Sequence, residues 1–155
     1  MIYADFKDFI QNLPHFGPLL GIDWGLRRTG LAITDNAREF VFPREIITAA
    51  LLPRITEIIE SEKAAGVVIG LPIRTDGSDS ETTSKVRAFA NELASSSNIP
   101  IMFVDERLSS AAAEEIIGAS RRKVGRGKKV QIDSRAAAVI LEDAIVAIKR
   151  IKNNG

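Results

Sequence analysis

Residues 19–34 read LLGIDWGLRRTGLAIT, an apolar run carrying one acid, a glycine-bounded turn and a second apolar run. Leu19 to Trp24 has the length and apolarity of a central strand. Gly25 to Gly30 supplies a turn and Leu31 to Thr34 a returning strand, so the segment reads as a β-hairpin. Beyond it, Phe40 to Phe42 and Glu45 to Thr48 form a third strand. Pro43 cannot donate to a ladder, which places that strand at a sheet edge.

Helical periodicity follows. Leu52, Ile55, Ile58 and Ile59 share one helix face, with Gly66 as the expected C-terminal stop. Val67 to Ile69 is a short buried strand. Val86, Phe89, Ala90 and Leu93 mark an amphipathic helix, opened by a capping box of Ser78 and Glu81. Ile101 to Val104 is the next strand, and a helix holding Ile116 and Ile117 comes after it. Asp133 opens the last helix, whose Ala137, Ile140, Leu141, Ala144 and Ile148 make one apolar stripe. The order β-β-β-α-β-α-β-α implies an α/β fold, a mixed sheet with helices packed on it. Right-handed crossovers set the later strands parallel to the first.

The chain has 155 residues, 45% hydrophobic and 26% charged, the balance of a single globular domain spanning residues 1–155. It contains no cysteine and one histidine, His15, which excludes thiolate chemistry and multi-histidine zinc sites. Any metal must sit on oxygen ligands, the preference of hard cations such as magnesium or manganese. No apolar run approaches the roughly 20 residues of a membrane span, and charges at Asp5, Lys7 and Asp8 break any secretory signal. The expected location is the cytoplasm, with no membrane partner.

The net charge of +1 conceals an uneven distribution. Arg121, Arg122, Lys123, Arg126, Lys128 and Lys129 lie together without an intervening acid, leaving 15 basic against 20 acidic residues elsewhere. A basic segment with Gly125 and Gly127 on an acidic body suits contact with phosphates, although a solvated loop has the same composition.

Three acids occupy unusual places. Asp23 interrupts a strand expected to be buried, where a carboxylate costs several kcal/mol unless paired or cation-bound (about that scale for any buried charge). Asp105 and Glu106 follow the strand IMFV directly. Asp133 begins the final helix beside Ala136 and Ala137, small residues that let it lie close to the sheet. If the first and fourth strands are parallel and adjacent, Asp23 and Glu106 meet at one edge and Asp133 completes a cluster. Converging carboxylates repel unless a divalent cation neutralises them, which is the logic of metal-assisted phosphoryl chemistry. Taken singly, each acid has a plainer role: Asp23 in the turn before Gly25, Asp105 or Glu106 pairing with Arg107, and Asp133 as a helix cap.

At this point four blocks of sequence resemble a known family. Gly21-Ile22-Asp23-Trp24-Gly25 through Arg28, Gly30, Ala32 and Asp35 is similar to the opening motif of the RuvC-like YqgF family. Gly70-Leu71-Pro72 with Asp76-Gly77 resembles its second block. Asp105-Glu106-Arg107-Leu108-Ser109-Ser110 resembles the third, where threonines are more usual than Ser109-Ser110. Asp133-Ser134 with Ala136-Ala137 and Ile140-Leu141 resembles the fourth. The resemblance runs over about residues 18 to 146 and leaves residues 1–16 outside as an N-terminal extension.

Members are described as Holliday-junction resolvases and as nucleases that mature the precursor of small-subunit ribosomal RNA. The resemblance implies a ribonuclease-H-like fold and catalytic, metal-binding acids, here Asp23, Glu106 and Asp133. Asp105 is the less suited neighbour, because successive strand residues face opposite sides. Metal-assisted hydrolysis of a phosphodiester follows, with Mg2+ or Mn2+ as the cofactor. Arg28 and Arg107 are candidates to hold phosphates, and Arg121 to Lys129 to track a nucleic-acid backbone. Structured RNA is the preferred partner and branched DNA the alternative.

Two rivals stand beside this reading. The opening motif also resembles the phosphate-binding start of actin-like kinases and chaperones, but those bind nucleotide between two such domains. A non-catalytic nucleic-acid-binding module would keep the fold with its acids serving structure alone. Trp24 could stack on a base, although a tryptophan on a central strand is more often core.

Overall fold

A computed structural model describes residues 1–72, 76–105 and 129–154 of the chain, without the side chains of residues 129–134 and 154. The hairpin read from residues 19–34 forms as β2 (Leu19–Asp23) and β3 (Thr29–Thr34), paired antiparallel with Asp23 opposite Gly30. Next comes β4 (Val41–Ile47), antiparallel to β3. The pairing slips between Leu31 and Ala32, whose partners are Glu45 and Pro43, so Arg44 is left out of register. As the proline required, β4 is an edge strand.

Two crossovers extend the sheet on the other side. Helix α2 (Leu51–Glu62) leads into β5 (Gly66–Leu71), and α3 (Glu81–Ser96) leads into β6 (Ile101–Asp105). Both strands run parallel to β2, β5 beside it and β6 beyond β5. The chain begins with β1 (Ile2–Tyr3), parallel to β6, and the short helix α1 (Phe6–Gln11). The six-stranded order is β1-β6-β5-β2-β3-β4. The last helix, α4, runs from Lys129 to Asn154. The helix expected around Ile116 and Ile117 falls outside the described residues.

Four local features differ from what the residues predict. The first and fourth strands of the expected order, β2 and β5, are adjacent, but Glu106 follows the fifth, β6, so one strand separates it from Asp23. Asp133 does not open the last helix: α4 begins at Lys129, four residues earlier, and Lys129 therefore ends the basic run inside a helix. Ser80, not Ser78, caps α3, its hydroxyl accepting from the Thr83 amide while the Thr83 hydroxyl accepts from the Ser80 amide. A threonine thus takes the place given to a glutamate. Finally, α2 stops at Lys63, which adopts the left-handed conformation at φ 54°. Gly66 serves close packing instead: a Cβ there would lie 2.6 Å from Leu13 Cδ2 and 3.1 Å from Phe9 Cζ.

Strand alternation divides the core into two layers. Leu20, Ile22, Leu31, Val67, Ile69 and Ile101 pack beneath α2 and α3 with Ile55, Ile58, Val86, Phe89 and Leu93. Leu19, Ala32, Val68, Met102 and Val104 face the other way, onto Ala137, Ile140, Leu141, Ala144 and Ile148 of α4 and onto Phe9 of α1. Residues 1–16 are thus tied in at two points, by β1 on the sheet and by fully buried Phe9.

Candidate nucleic-acid and metal-binding edge

The parallel strands β2, β5 and β6 all end at the same edge of the sheet. In open α/β sheets that edge is where ligands bind. Asp23 closes β2 there. It alternates with Leu19 and Gly21, so it lies on the face that α4 covers.

Gly21 explains how α4 comes so near. A Cβ at that position would lie 2.5 Å from Leu141 Cγ and 2.9 Å from the Ala137 carbonyl oxygen. Only a glycine lets the helix backbone rest on the strand at this point. Lys149 near the other end of α4 reaches Glu39 in the β3–β4 turn at 3.1 Å. That turn lies at the start of β2, because Ile33 pairs with Leu20. The helix therefore runs antiparallel to β2, and its first turns lie toward Asp23. Residue 133 sits one helical turn before Ala137, at the Asp23 end.

Asp105 closes β6 at the same edge. Asp105 alternates with Ile101 and Phe103, which belong to the α2–α3 layer, so it lies on the side opposite Asp23. Phe103 on that side carries the Arg87 guanidinium 5.7 Å from its ring centroid. Across the α4 face, the residues that follow in register from Ile22 and Ile69 are Asp23 and Gly70, and Gly70 pairs with Val104. Two strand spacings, roughly 10 Å, separate Asp23 from Val104, with glycine between them. Glu106 and Arg107 lie outside the described residues, as do Arg121, Arg122, Lys123, Arg126 and Lys128. No group of three potential metal ligands is assembled among the described residues.

The turn beside Asp23 is held tightly. A Cβ on Gly25 would lie 2.1 Å from the Arg28 carbonyl oxygen. Buried Thr29 accepts from the Gly25 amide at 3.3 Å and donates to the Gly25 carbonyl at 3.4 Å. Exposed Arg28 is thereby fixed on the same edge as Asp23. Trp24 is half-buried and packs against the α2–α3 core, the structural role expected for it. Asp35, the last residue of the opening motif, belongs to the opposite pole. Its Oδ1 accepts the amides of Glu39 at 2.8 Å and Phe40 at 2.9 Å, and the Phe40 bond above all holds its carboxyl below the usual range. Charge and periodicity assign Gly21, Gly70 and Thr29 no part in shaping this edge. A glycine inside an apolar strand was the available signal for the first two.

The RuvX family, described as Holliday junction resolvase, matches residues 17–147. A relative from Maridesulfovibrio salexigens, described as a candidate pre-16S rRNA nuclease, is 44% identical over 131 residues, covering 80% of this chain and 94% of its own. The chain belongs to the RuvX family. A second RuvX relative of the same description, from Sphingopyxis alaskensis, is 39% identical and covers 97% of this chain and all of its own. Two solved structures share the fold. Thermus thermophilus RuvC in complex with a Holliday junction substrate aligns with TM-score 0.59 at 14% identity, over 86% of this chain and 96% of that one. Another Thermus thermophilus RuvC structure aligns with TM-score 0.52 at 13% identity, over 84% and 95% of the two chains. The ribonuclease-H-like architecture expected from the motifs is the one observed, and the YqgF resemblance and the RuvX family are the same assignment. Among the described residues, no helix is long and apolar enough to cross a membrane.

Proposed function

We propose that this RuvX-family chain is a metal-dependent nuclease that hydrolyses phosphodiester bonds of structured RNA in the cytoplasm, maturing the 5′ end of the small-subunit (16S) ribosomal RNA precursor. The observation that carries the reading is the place of Asp23. A carboxylate ends the central parallel strand on the face covered by α4, and Gly21 lets the turn of α4 that bears Asp133 lie near it. The description of the relatives supports the RNA substrate.

The donor chemistry at this edge fits a hard divalent cation. The chain has no cysteine, and its one histidine lines a hollow with Lys152 at the opposite pole, so the ligands available beside Asp23 are oxygens. Asp23, Glu106 and Asp133 would hold magnesium or manganese, which when bound supplies charge neutralisation and polarisation at the scissile phosphate. Arg28, and Arg107 beside Glu106, would hold phosphate oxygens by charge-assisted hydrogen bonds. Arg121, Arg122, Lys123, Arg126, Lys128 and Lys129 would follow the backbone, making affinity fall steeply with salt. No side-chain nucleophile is needed: water adds at phosphorus, the bond to the 3′ oxygen breaks, and that oxygen leaves with a proton.

The family description favours a second substrate, the four-way DNA junction. A junction resolvase must cut two strands symmetrically and would act as a two-fold dimer. Purified protein with manganese, offered a precursor-rRNA leader and a synthetic four-way junction, separates the two. We expect cleavage of the leader, lost in Asp23→Asn while RNA binding persists. Selective cutting of the junction would reverse the substrate assignment, and an Asn variant as active as wild type would remove Asp23 from the chemistry.

A further inference from the structure

The pole farthest from Asp23 carries a second concentration of positive charge. Two adjoining hollows of about 140 and 200 Å3 share His15, Arg38, Ile148 and Lys152, and Lys149 lines the first of them. Arg38 is the unusual member. Its backbone is left-handed at φ 60°, and its Nε and Nη2 donate to the carbonyls of Gly17 at 2.8 Å and Pro14 at 2.7 Å. Neutral carbonyls orient the guanidinium but supply no counter-charge.

Burial pushes the Arg38 pKa down, and no carboxylate among the described residues pairs with it. The acid that lines the hollow, Glu39, is taken by Lys149 at 3.1 Å. A partly desolvated cation with no acid paired to it is costly unless an anion arrives. Outside the basic run of residues 121–129 the chain is net acidic, so partly buried Arg38 with exposed Lys149 and Lys152 around one hollow stands out from the body. Their spacing from the Asp23 edge is large. Lys149 lies sixteen residues after Asp133 on α4, roughly 24 Å along the helix.

We propose that His15, Arg38 and Lys152, with Lys149 at the rim, form an anion site for a phosphate group, separate from the Asp23 edge. Arg38 would offer its remaining guanidinium donors and Lys152 a mobile ammonium, the pairing suited to a phosphate's several acceptor oxygens. The phosphate could belong to a nucleic-acid backbone passing over this pole or to a free phosphorylated molecule. The site does not depend on the nuclease reading, since none of its residues belongs to that edge.

The full-length protein, labelled with 15N and titrated separately with inorganic phosphate and with an RNA 12-mer lacking terminal phosphates, tests it through the His15 ring and Arg38 Nε resonances. We expect saturable shifts at both residues, and about tenfold weaker binding in Lys152→Glu, an exposed position whose exchange leaves the fold intact. Shifts with inorganic phosphate that the RNA does not reproduce assign the site to free phosphorylated molecules. Tighter binding of the 12-mer at the same resonances assigns it to a nucleic-acid backbone. Unmoved His15 and Arg38 resonances with both probes, or equal affinity in Lys152→Glu, would overturn the site.

Discussion

Under α2 and α3 the sheet presents Leu20, Ile22, Leu31, Ile69 and Ile101 to Ile55, Ile58, Phe89 and Leu93, large side chains on both partners. Under α4 the same strands present Gly21, Ala32 and Val68 to Ala137, Ala138, Leu141 and Ala144. Large residues hold a helix off the sheet and bury much area, whereas small ones trade area for a close approach of backbones. The second face gives up hydrophobic burial at the position that brings α4 down onto the strand ending in Asp23. The larger apolar cluster lies on one face, and the placement of candidate chemistry depends on the other.

The sharpest way to break that contrast is to change each face separately. Asp23→Asn keeps size and shape, so we expect nuclease activity to fall by about 10³-fold, the scale for losing a preorganised electrostatic group, with the melting temperature held or raised. A melting temperature lowered by many degrees would make Asp23 a structural residue. Leu93→Ala, on the far face, empties a fully buried position. It should cost about 3 kcal/mol in urea unfolding and leave the activity of the folded fraction near wild type. Loss of activity in folded Leu93→Ala would show that the two faces are coupled.

Much of this division is legible in the residues themselves. The hairpin, the edge position of β4 and the helix stripes follow from period and from one proline, since each is a local pattern with a local cause. Which strand lies beside which is different. Glu106 follows the fifth strand of the expected order, and nothing in the residues near it states that β5 comes between β6 and β2. Asp133 is a good cap by type and suggests a helix start, whereas the helix already includes Lys129, four residues earlier. At the candidate site, Asp23 was readable as a charge out of place in an apolar run. Gly21 was visible as a letter, but its use required the position of Leu141, 120 residues on. The face to which Asp105 belongs did follow from simple alternation along β6.

Gly21→Ala joins the two properties that the faces keep apart. The added methyl would overlap Leu141, which can turn aside, and the Ala137 carbonyl, which cannot without moving α4. We expect a loss of about 2 kcal/mol, the ordinary scale of overpacking, smaller than for Leu93→Ala. Unlike that variant, folded Gly21→Ala should also lose nuclease activity, because the first turns of α4 are displaced from Asp23. A Gly21→Ala protein that is destabilised yet fully active would mean that the position of α4 over β2 is unimportant to the chemistry.

The smallest effect belongs to the rim of the stable face, where Glu45 on β4 meets Arg54 on α2. The guanidinium donates from Nε to Oε2 at 2.9 Å and from Nη2 to Oε1 at 2.7 Å, a two-pronged contact between edge strand and helix. The hydrogen bond from Arg54 is the main reason that the Glu45 carboxyl lies below its usual range, and the Arg54 pKa is raised in return. A folded pKa below the unfolded one stabilises the fold above the unfolded value, near 4.5, and the benefit fades as pH falls through the lower folded value. Both side chains are partly exposed and screened by solvent, so the pair contributes little. Glu45→Gln should therefore lower stability slightly at neutral pH and flatten its decline between about pH 5 and 3, measured by urea unfolding at a series of pH values. Activity per folded molecule should not change, since Glu45 lies beneath α2, on the face opposite Asp23. A Gln variant with the same acid limb as wild type would assign the low-pH loss to other carboxylates.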